Sequence, residues 1–198
     1  MEEDKECVMI LNLCSGNTPI QNAVNIDNTN GYYTDEIIDL DITPWKWEDN
    51  SVDGIYMIHA LEHFKDRNKI LSECRRILKV GGFLYIRVPH CSSACALSNL
   101  YHYTAFASDT MNNLTGFRVK SSKIYYLSQK YTEKETGIQF VLDMDETTHP
   151  VLRTLVYPFA CIVQWLIDLS PALFERFWCF YAGGAEEVVF KLEKLWND

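Results

Sequence analysis

The chain has 198 residues, a hydrophobic fraction of 47% and a formal net charge of −9 from 18 basic and 27 acidic side chains. That size and hydrophobicity suit one globular domain with a substantial core and exclude a wholly disordered chain. The negative balance argues against a nucleic-acid backbone as the main partner, because such binding rests on Lys and Arg neutralising phosphates.

The one dense basic stretch, Arg75 to Lys79, reads as the solvated face of a helix. Seven cysteines, an odd number, follow an acidic start, "MEEDKE", with no apolar leader, so a reducing, cytoplasmic setting with free thiols is expected. Cys91 and Cys95 are the closest pair, and no second pair stands at zinc-ribbon spacing. No charge-free apolar run of about 18 residues occurs, so no transmembrane span is predicted. The nearest stretch, Leu152 to Leu169, carries Arg153, Pro158, Gln164 and Asp168.

In chain order, Val8 to Leu13 is an apolar run that stops at the turn formers "CSGNTP", as a buried parallel strand does. Ala23 to Asp27 is a second short strand ending on an acid, and "VDGIYMIH" a third, opened by the turn "EDNS". A helix follows from a cap at Asp66, with Ile70, Leu71, Cys74, Ile77 and Leu78 on one face and Gly81-Gly82 closing it. Phe83 to Pro89 is the fourth strand, and residues 90–118 read as loop and short helix. Strand character returns in "KIYYLSQKYT" and "GIQFVLDMD".

Two apolar helices come next. The first carries a stripe of Leu152, Leu155, Val156, Phe159, Val163, Leu166 and Ile167, with Pro158 either kinking it or marking its start. The second opens at Ser170-Pro171 and closes at Gly183-Gly184. The pair is aromatic-rich, and its first reading is a cover for the core. A homodimer face, an acceptor pocket or a membrane contact are the other readings. Glu187 to Leu195 alternates and is expected to be a last, antiparallel strand. Strands interleaved with helices predict an α/β sheet with its ligand at the carboxyl ends of the strands.

Two local patterns bear on chemistry. In "LNLCSGN" followed by "VNIDN", a strand ends in a turn containing Gly16, and the next strand ends eleven residues later in Asp27. An acid there can hold both hydroxyls of a ribose, while a glycine turn lets backbone approach a ligand. The spacing is shorter than the roughly 20 residues of a dinucleotide fingerprint, and no G-x-G-x-x-G is present. The second pattern, "HALEH" (His59 to His63), spells the H-x-x-E-H of a zinc peptidase helix. Its context differs, since a buried strand runs straight into His59 and the two histidines straddle a strand-to-helix boundary. Glu62 and His63 are expected to fix that loop by hydrogen bonds, and no residue is assigned to a metal.

Residues 8–90 carry "LNLCSGNTP", "VNID", "DLDITPWKWEDNSVD", "HALEH" and "ECRRILKVGGFLYIRVP" in that order. This series resembles the small class I S-adenosylmethionine (SAM)-dependent methyltransferases of the methyltransferase-11-like group. Their pattern runs approximately L-N-L-G-C-G-N-x-P, V-D, D-L-x-x-x-P-x-x-D-N-S-x-D, H-x-L-E-H and E-x-x-R-V-L-K-P-G-G-x-L-x-I-x-V-P. The resemblance implies a Rossmann-like fold, a mostly parallel sheet with an antiparallel last strand and helices on both faces. It implies one domain over residues 1–198, with a core of 6–145 and 185–196 and a helical insertion at about 150–183. SAM would be the cofactor and S-adenosyl-L-homocysteine the product. Leu13, Cys14, Ser15, Gly16 and Asn17 would line the methionine part, and Asp27 with Asn28 the ribose. Asp41 and Ile42 would meet the adenine, and His59 the methionyl end or the transferring methyl.

One departure stands out: Cys14 takes the place of the family's first glycine. Its side chain calls for either a rebuilt loop that still binds SAM or a domain that has lost catalysis, and the survival of Gly16, Asp27 and Asp41 favours the rebuilt loop. Methyl transfer to a hydroxyl needs a base at the carboxyl ends of the strands, and the candidates are His59, His90 and His102. The [D/N]-P-P-[Y/F] motif of nucleic-acid amino methyltransferases is missing after "IYMI". Resemblance to glycan-decorating relatives makes sugar or glycan O-methylation the first expectation, with another small-molecule acceptor as an alternative. A catalytically silent SAM-fold binding module and, far behind, a zinc hydrolase are the readings from other classes. The chain is also compatible with being one domain of a larger glycan-assembly protein.

Overall fold

The computed structural model describes residues 8–125, 150–179 and 184–196. The apolar runs form seven strands: β1 (Ile10–Leu13), β2 (Val24–Asp27), β3 (Glu36–Ile37), β4 (Val52–Ile58), β5 (Leu78–Pro89), β6 (Phe117–Tyr125) and β7 (Glu187–Lys194). They make one sheet in the order β3-β2-β1-β4-β5-β7-β6. Neighbours from β3 to β5 pair in parallel, and β7 inserts antiparallel between β5 and β6. This is a Rossmann-like α/β sheet with a reversed last strand. Strand order reverses between β1 and β4, so the crevice beyond their carboxyl ends is where such sheets receive ligands.

Helix α1 (Arg67–Ile77) forms where the sequence places it. Asp66 caps it, its Oδ1 accepting the Lys69 N–H at 3.0 Å, and Ile70, Leu71, Cys74 and Ile77 are buried against the sheet. The helix ends at Ile77, short of the predicted closure at Gly81-Gly82, and these glycines do not close it. Leu78 already pairs with Val52, and register then shifts so that Gly54 pairs with Phe83. The glycines serve this irregularity inside β5. Gly81 adopts φ +81, and a Cβ on Gly82 would stand 2.8 Å from the Lys79 carbonyl.

One large apolar cluster joins Leu11, Leu13, Ile55, Met57, Leu84, Ile86, Val88 and Phe190 to α1 and to Val163, Ile167 and Phe174 of the C-terminal helices. A smaller one holds Ile58, Tyr85, Tyr125 and Val189, with Ile20 and Tyr56 packed on it. Ile20 belongs to the β1–β2 connection, which is built of turns. Burial of this kind is what stabilises the domain, at about 25 cal/mol for each Å² of apolar surface removed from water.

Three expectations shift. Strand β6 begins at Phe117, within the stretch read as loop, because its antiparallel ladder with β7 reaches from Phe117↔Lys194 to Tyr125↔Glu187. The rest of "KIYYLSQKYT" and all of "GIQFVLDMD" lie outside the described residues. Helix α3 (Pro150–Leu169) continues through Pro158, yet of its predicted stripe Val163 and Ile167 are buried while Phe159 and Leu166 are at least half exposed. Among its described side chains Ala160 is also buried, while Ile162 and Trp165 are exposed like Phe159 and Leu166.

After Ser170, whose hydroxyl accepts the Leu173 N–H, the short α4 (Pro171–Leu173) widens into a π-helical turn at Phe174–Trp178. The predicted closure at Gly183 lies outside the described residues. Among the described residues, no helix is long and apolar enough to cross a membrane.

Replacing Asp66 by Ala should remove the α1 cap and lower stability by about 1 kcal/mol, read as an earlier urea unfolding midpoint with an unchanged slope.

Candidate active site

The turn after β1 and the turn after β4 face each other across the reversal of strand order. Ser15 N–H donates to the Ile26 carbonyl at 2.8 Å, and Gly16 N–H donates to Asp27 Oδ2 at 2.9 Å, so the turn is fastened to the end of β2. Asp27 Oδ1 also accepts from the Thr29 N–H and hydroxyl, at 3.1 and 3.0 Å. Burial alone would raise the Asp27 carboxyl, but the N–H groups of Gly16, Thr29 and Asn28 and the Thr29 hydroxyl outweigh it and hold it below the usual carboxylate range.

Cys14 occupies the glycine position without the loop being rebuilt to a negative φ. It sits at φ +56, the left-handed conformation a glycine would take, and its side chain packs against the large core cluster. Burial first, then the nearby Asp27, Glu62 and Asp41, push its thiol up to about 12, so it stays protonated.

At the end of β4 the chain turns through His59, also left-handed at φ +50, into a 3-10 turn, Leu61–His63. His59 Nε2 lies 2.8 Å from Glu187 Oε1, and its Nδ1 lies 3.4 Å from Glu62 Oε1. Glu187 in turn receives Arg87 through two bonds, Nε to Oε2 at 2.8 Å and the terminal nitrogen to Oε1 at 2.7 Å, both side chains buried. Burial would lower His59, but the hydrogen bond to Glu187 and the nearby negative charges of Glu187 and Glu62 raise it to about 9. It is therefore a cation near neutrality, held between two acids.

The other two histidines are placed differently. The His90 ring is fully buried, with Nδ1 2.8 Å from the Ser92 hydroxyl and Nε2 3.1 Å from Glu175 Oε1. The π-helical turn presents Glu175, which also accepts from the Ser108 N–H and hydroxyl. His102 stands on the far side of Glu62, its ring edge-on to His63 with centroids 4.7 Å apart. Tyr103 N–H donates to the Glu62 carbonyl at 2.9 Å and so ties the His102 loop to the 3-10 turn. His59, Glu62, His63 and His102 are thus gathered at one edge, and His90 is walled off beside Glu175.

Glu62 and His63 do not fix their loop by side-chain hydrogen bonds. Both Glu62 oxygens are buried without a hydrogen-bond partner, and no side-chain hydrogen bond of His63 is found among the described residues. The loop is held instead by backbone bonds, His63 N–H to Ala60 O and Phe64 N–H to Leu61 O.

Residues 12–86 match a family model described as a methyltransferase domain. The whole chain is similar in fold to a SAM-dependent methyltransferase from Archaeoglobus fulgidus, with 15% identity, a TM-score of 0.53, and coverage of 96% of this chain and 87% of that one. The matched core, strand order and fold agree. Residues 12–86 thus resemble a methyltransferase domain, and the whole chain has the fold of SAM-dependent methyltransferases. Similar folds occur in a putative methyltransferase bound to the Trm112 activator of Haloferax volcanii (17% identity, TM-score 0.55, 98% and 84% coverage). Another is Haemonchus contortus phosphoethanolamine N-methyltransferase 2 in complex with SAM (13% identity, TM-score 0.55, 96% and 49% coverage). No curated protein matches the sequence.

The turn fits SAM, the cofactor that the methyltransferase-domain match implies. A Cβ built on Gly16 meets nothing within 4 Å, and the buried Ser15 hydroxyl has no partner, so the cradle offers both space and an unspent polar group. Leu13 to Asn17 would line the methionyl part. Asp27, whose Oδ2 carries one bond, has acceptor capacity left for a ribose with exposed Asn28 beside it. Asp41 and Ile42 are exposed next to that space, Asp41 fixed through its carbonyl by Lys69 Nζ at 2.7 Å. Sequence reasoning had passed over Arg87, Glu187 and Glu175. A charged Arg within "FLYIRVP" was the signal available for the first, since a buried strand tolerates such a charge only with a partner.

Asp27→Ala should weaken SAM binding by about tenfold to a hundredfold in calorimetric titration, the loss of one or two hydrogen bonds to a charged group, with the circular dichroism spectrum unchanged. In an NMR titration of metal-free protein, His59 should deprotonate near pH 9 and move toward 6.5 in Glu187→Gln. The sign follows from the raised value. The contribution of this cation to stability is complete below 6.5 and is lost as pH climbs through about 9.

Proposed function

We propose that this methyltransferase transfers the methyl group of SAM to a hydroxyl of a sugar or glycan in the cytoplasm, and that nucleic acid is not its acceptor. The observation that carries the reading is the pair of exposed rings, Tyr101 and Tyr103, 72% and 47% accessible, flanking His102 at the Glu62–His63 edge. Exposed aromatic faces beside clustered polar groups suit a ligand with apolar C–H faces and hydroxyl edges. The run "IYMI" leads into "HALEH" and not into an amino-methyltransferase motif, and the net charge of −9 disfavours a polyanion.

Bound SAM supplies a methyl carbon already activated by its sulfonium. What remains for the chain is to hold the acceptor oxygen in line and to let its proton leave. His59 is a cation pinned by Glu187 and suits orientation, while His90 has no open face. The proton therefore leaves on the side of Glu62, His63 and His102.

Incubation with methyl-labelled SAM and a panel of sugars, sugar nucleotides and glycans should place label in an alkali-stable ether. Label found only on amines or nucleobases would overturn the assignment. SAM binding without any transfer would favour a silent binding module instead.

A further inference from the structure

Glu62 poses a problem that the methyltransferase chemistry does not absorb. Its side chain is 1% exposed, yet neither carboxylate oxygen has a hydrogen-bond partner, and the nearest charged atom is His59 Nδ1 at 3.4 Å from one of them. A buried carboxylate is kept only when something compensates its desolvation. Across from it, the buried Nδ1 of His102 is also without a partner, while Asn99 Nδ2 donates to the other ring nitrogen at 3.1 Å. Ligation through Nδ1 would move the ring proton to Nε2 and turn the Asn99 oxygen toward it, at the expense of the bond that oxygen accepts from Tyr101 N–H. His63 completes the group from the solvent side. One ligand atom from each of Glu62, His63 and His102 can be chosen so that all lie within 4.8 Å of one another.

We propose that Glu62, His63 and His102 form a binding site for a first-row divalent transition cation. Two imidazoles and one carboxylate are the donor set such ions prefer, and it leaves coordination positions open for water or a ligand. Bonds of roughly 2.0–2.2 Å at tetrahedral or octahedral angles set ligand atoms about 3–3.5 Å apart. The widest spacing in the cluster, up to 4.8 Å, therefore has to draw in by about 1–2 Å on binding.

The local fold prepares this arrangement. The 3-10 turn makes Glu62 and His63 neighbours on one edge, and the Tyr103 N–H bond to the Glu62 carbonyl brings the His102 loop against them. The site differs from a peptidase helix. His59, the first histidine of "HALEH", points to Glu187 and is not a ligand, whereas the second imidazole comes from residue 102, a separate segment.

The inference stands on the cluster itself and not on the sugar reading. One consequence does rest on that reading: a cation here would meet an acceptor hydroxyl and make it more acidic, the service a base would otherwise supply.

The test uses the full chain after EDTA dialysis, titrated with Co²⁺ by calorimetry and visible absorption. One Co²⁺ per chain is expected, with weak ligand-field bands and no thiolate charge transfer. His63→Ala and His102→Ala should each weaken binding by more than about a hundredfold, beyond what loss of an outer-shell partner causes. Because His63 is exposed, its variant should keep SAM binding, which certifies its fold. Absent Co²⁺ binding, binding that both variants retain, or thiolate bands would overturn the site. Loss of sugar methylation with Co²⁺ binding intact would strike the proposed function and leave the metal site standing.

Discussion

The buried pair of Arg87 and Glu187 is the interaction on which the catalytic edge depends. Two charges taken out of water are tolerated only with good geometry, and here two parallel bonds at 2.7–2.8 Å supply it. Removing either partner would break the buried pair, a loss of up to about 3–5 kcal/mol by analogy with other buried pairs, with His59 still facing Glu187 when Arg87 is the one removed. The pair also fixes His59, because the same Glu187 oxygen that receives Arg87 faces the imidazole. That geometry requires β7 to run against its neighbours. Only an antiparallel last strand brings its first residue, Glu187, to the carboxyl ends of β4 and β5.

Two non-glycine residues in left-handed conformation, Cys14 and His59, stand at the ends of adjacent parallel strands β1 and β4. Each carries a cost of order 1–3 kcal/mol that the surroundings must offset. For Cys14 the offset is core packing, and for His59 it is the pair of acids. The two turns stand at the mouth of the crevice beyond the carboxyl ends of β1 and β4. Their strain marks the place where backbone direction has been set by the site and not by local preference.

The chain-order reading of the sequence located the core strands β1, β2, β4 and the α1 cap from apolar runs and turn formers, and these depend on local periodicity alone. It erred where a distant partner decides. Gly81-Gly82 look like a helix stop until Leu78 is seen to pair with Val52, and Phe117 looks like loop until β7 lies beside it. At the site, the histidines and Asp27 were legible as residue types at strand ends. Their division of labour was not, because it depends on Glu187 and Glu175, more than eighty residues away from His59 and His90 in sequence. The emptiness around Glu62 could not have been read from the string "HALEH" at all. A missing partner is a property of space.

The position of β7 has a further consequence for how the protein comes into being. It follows β6 in the chain, yet it lies inside the sheet, bonded along its length to β5 on one side and β6 on the other. Until β7 docks, Arg87 lacks Glu187 and the edges of β5 and β6 that β7 covers stay open. Open edges invite pairing with other chains. The same eight residues therefore close both edges and complete the buried charge pair in one step.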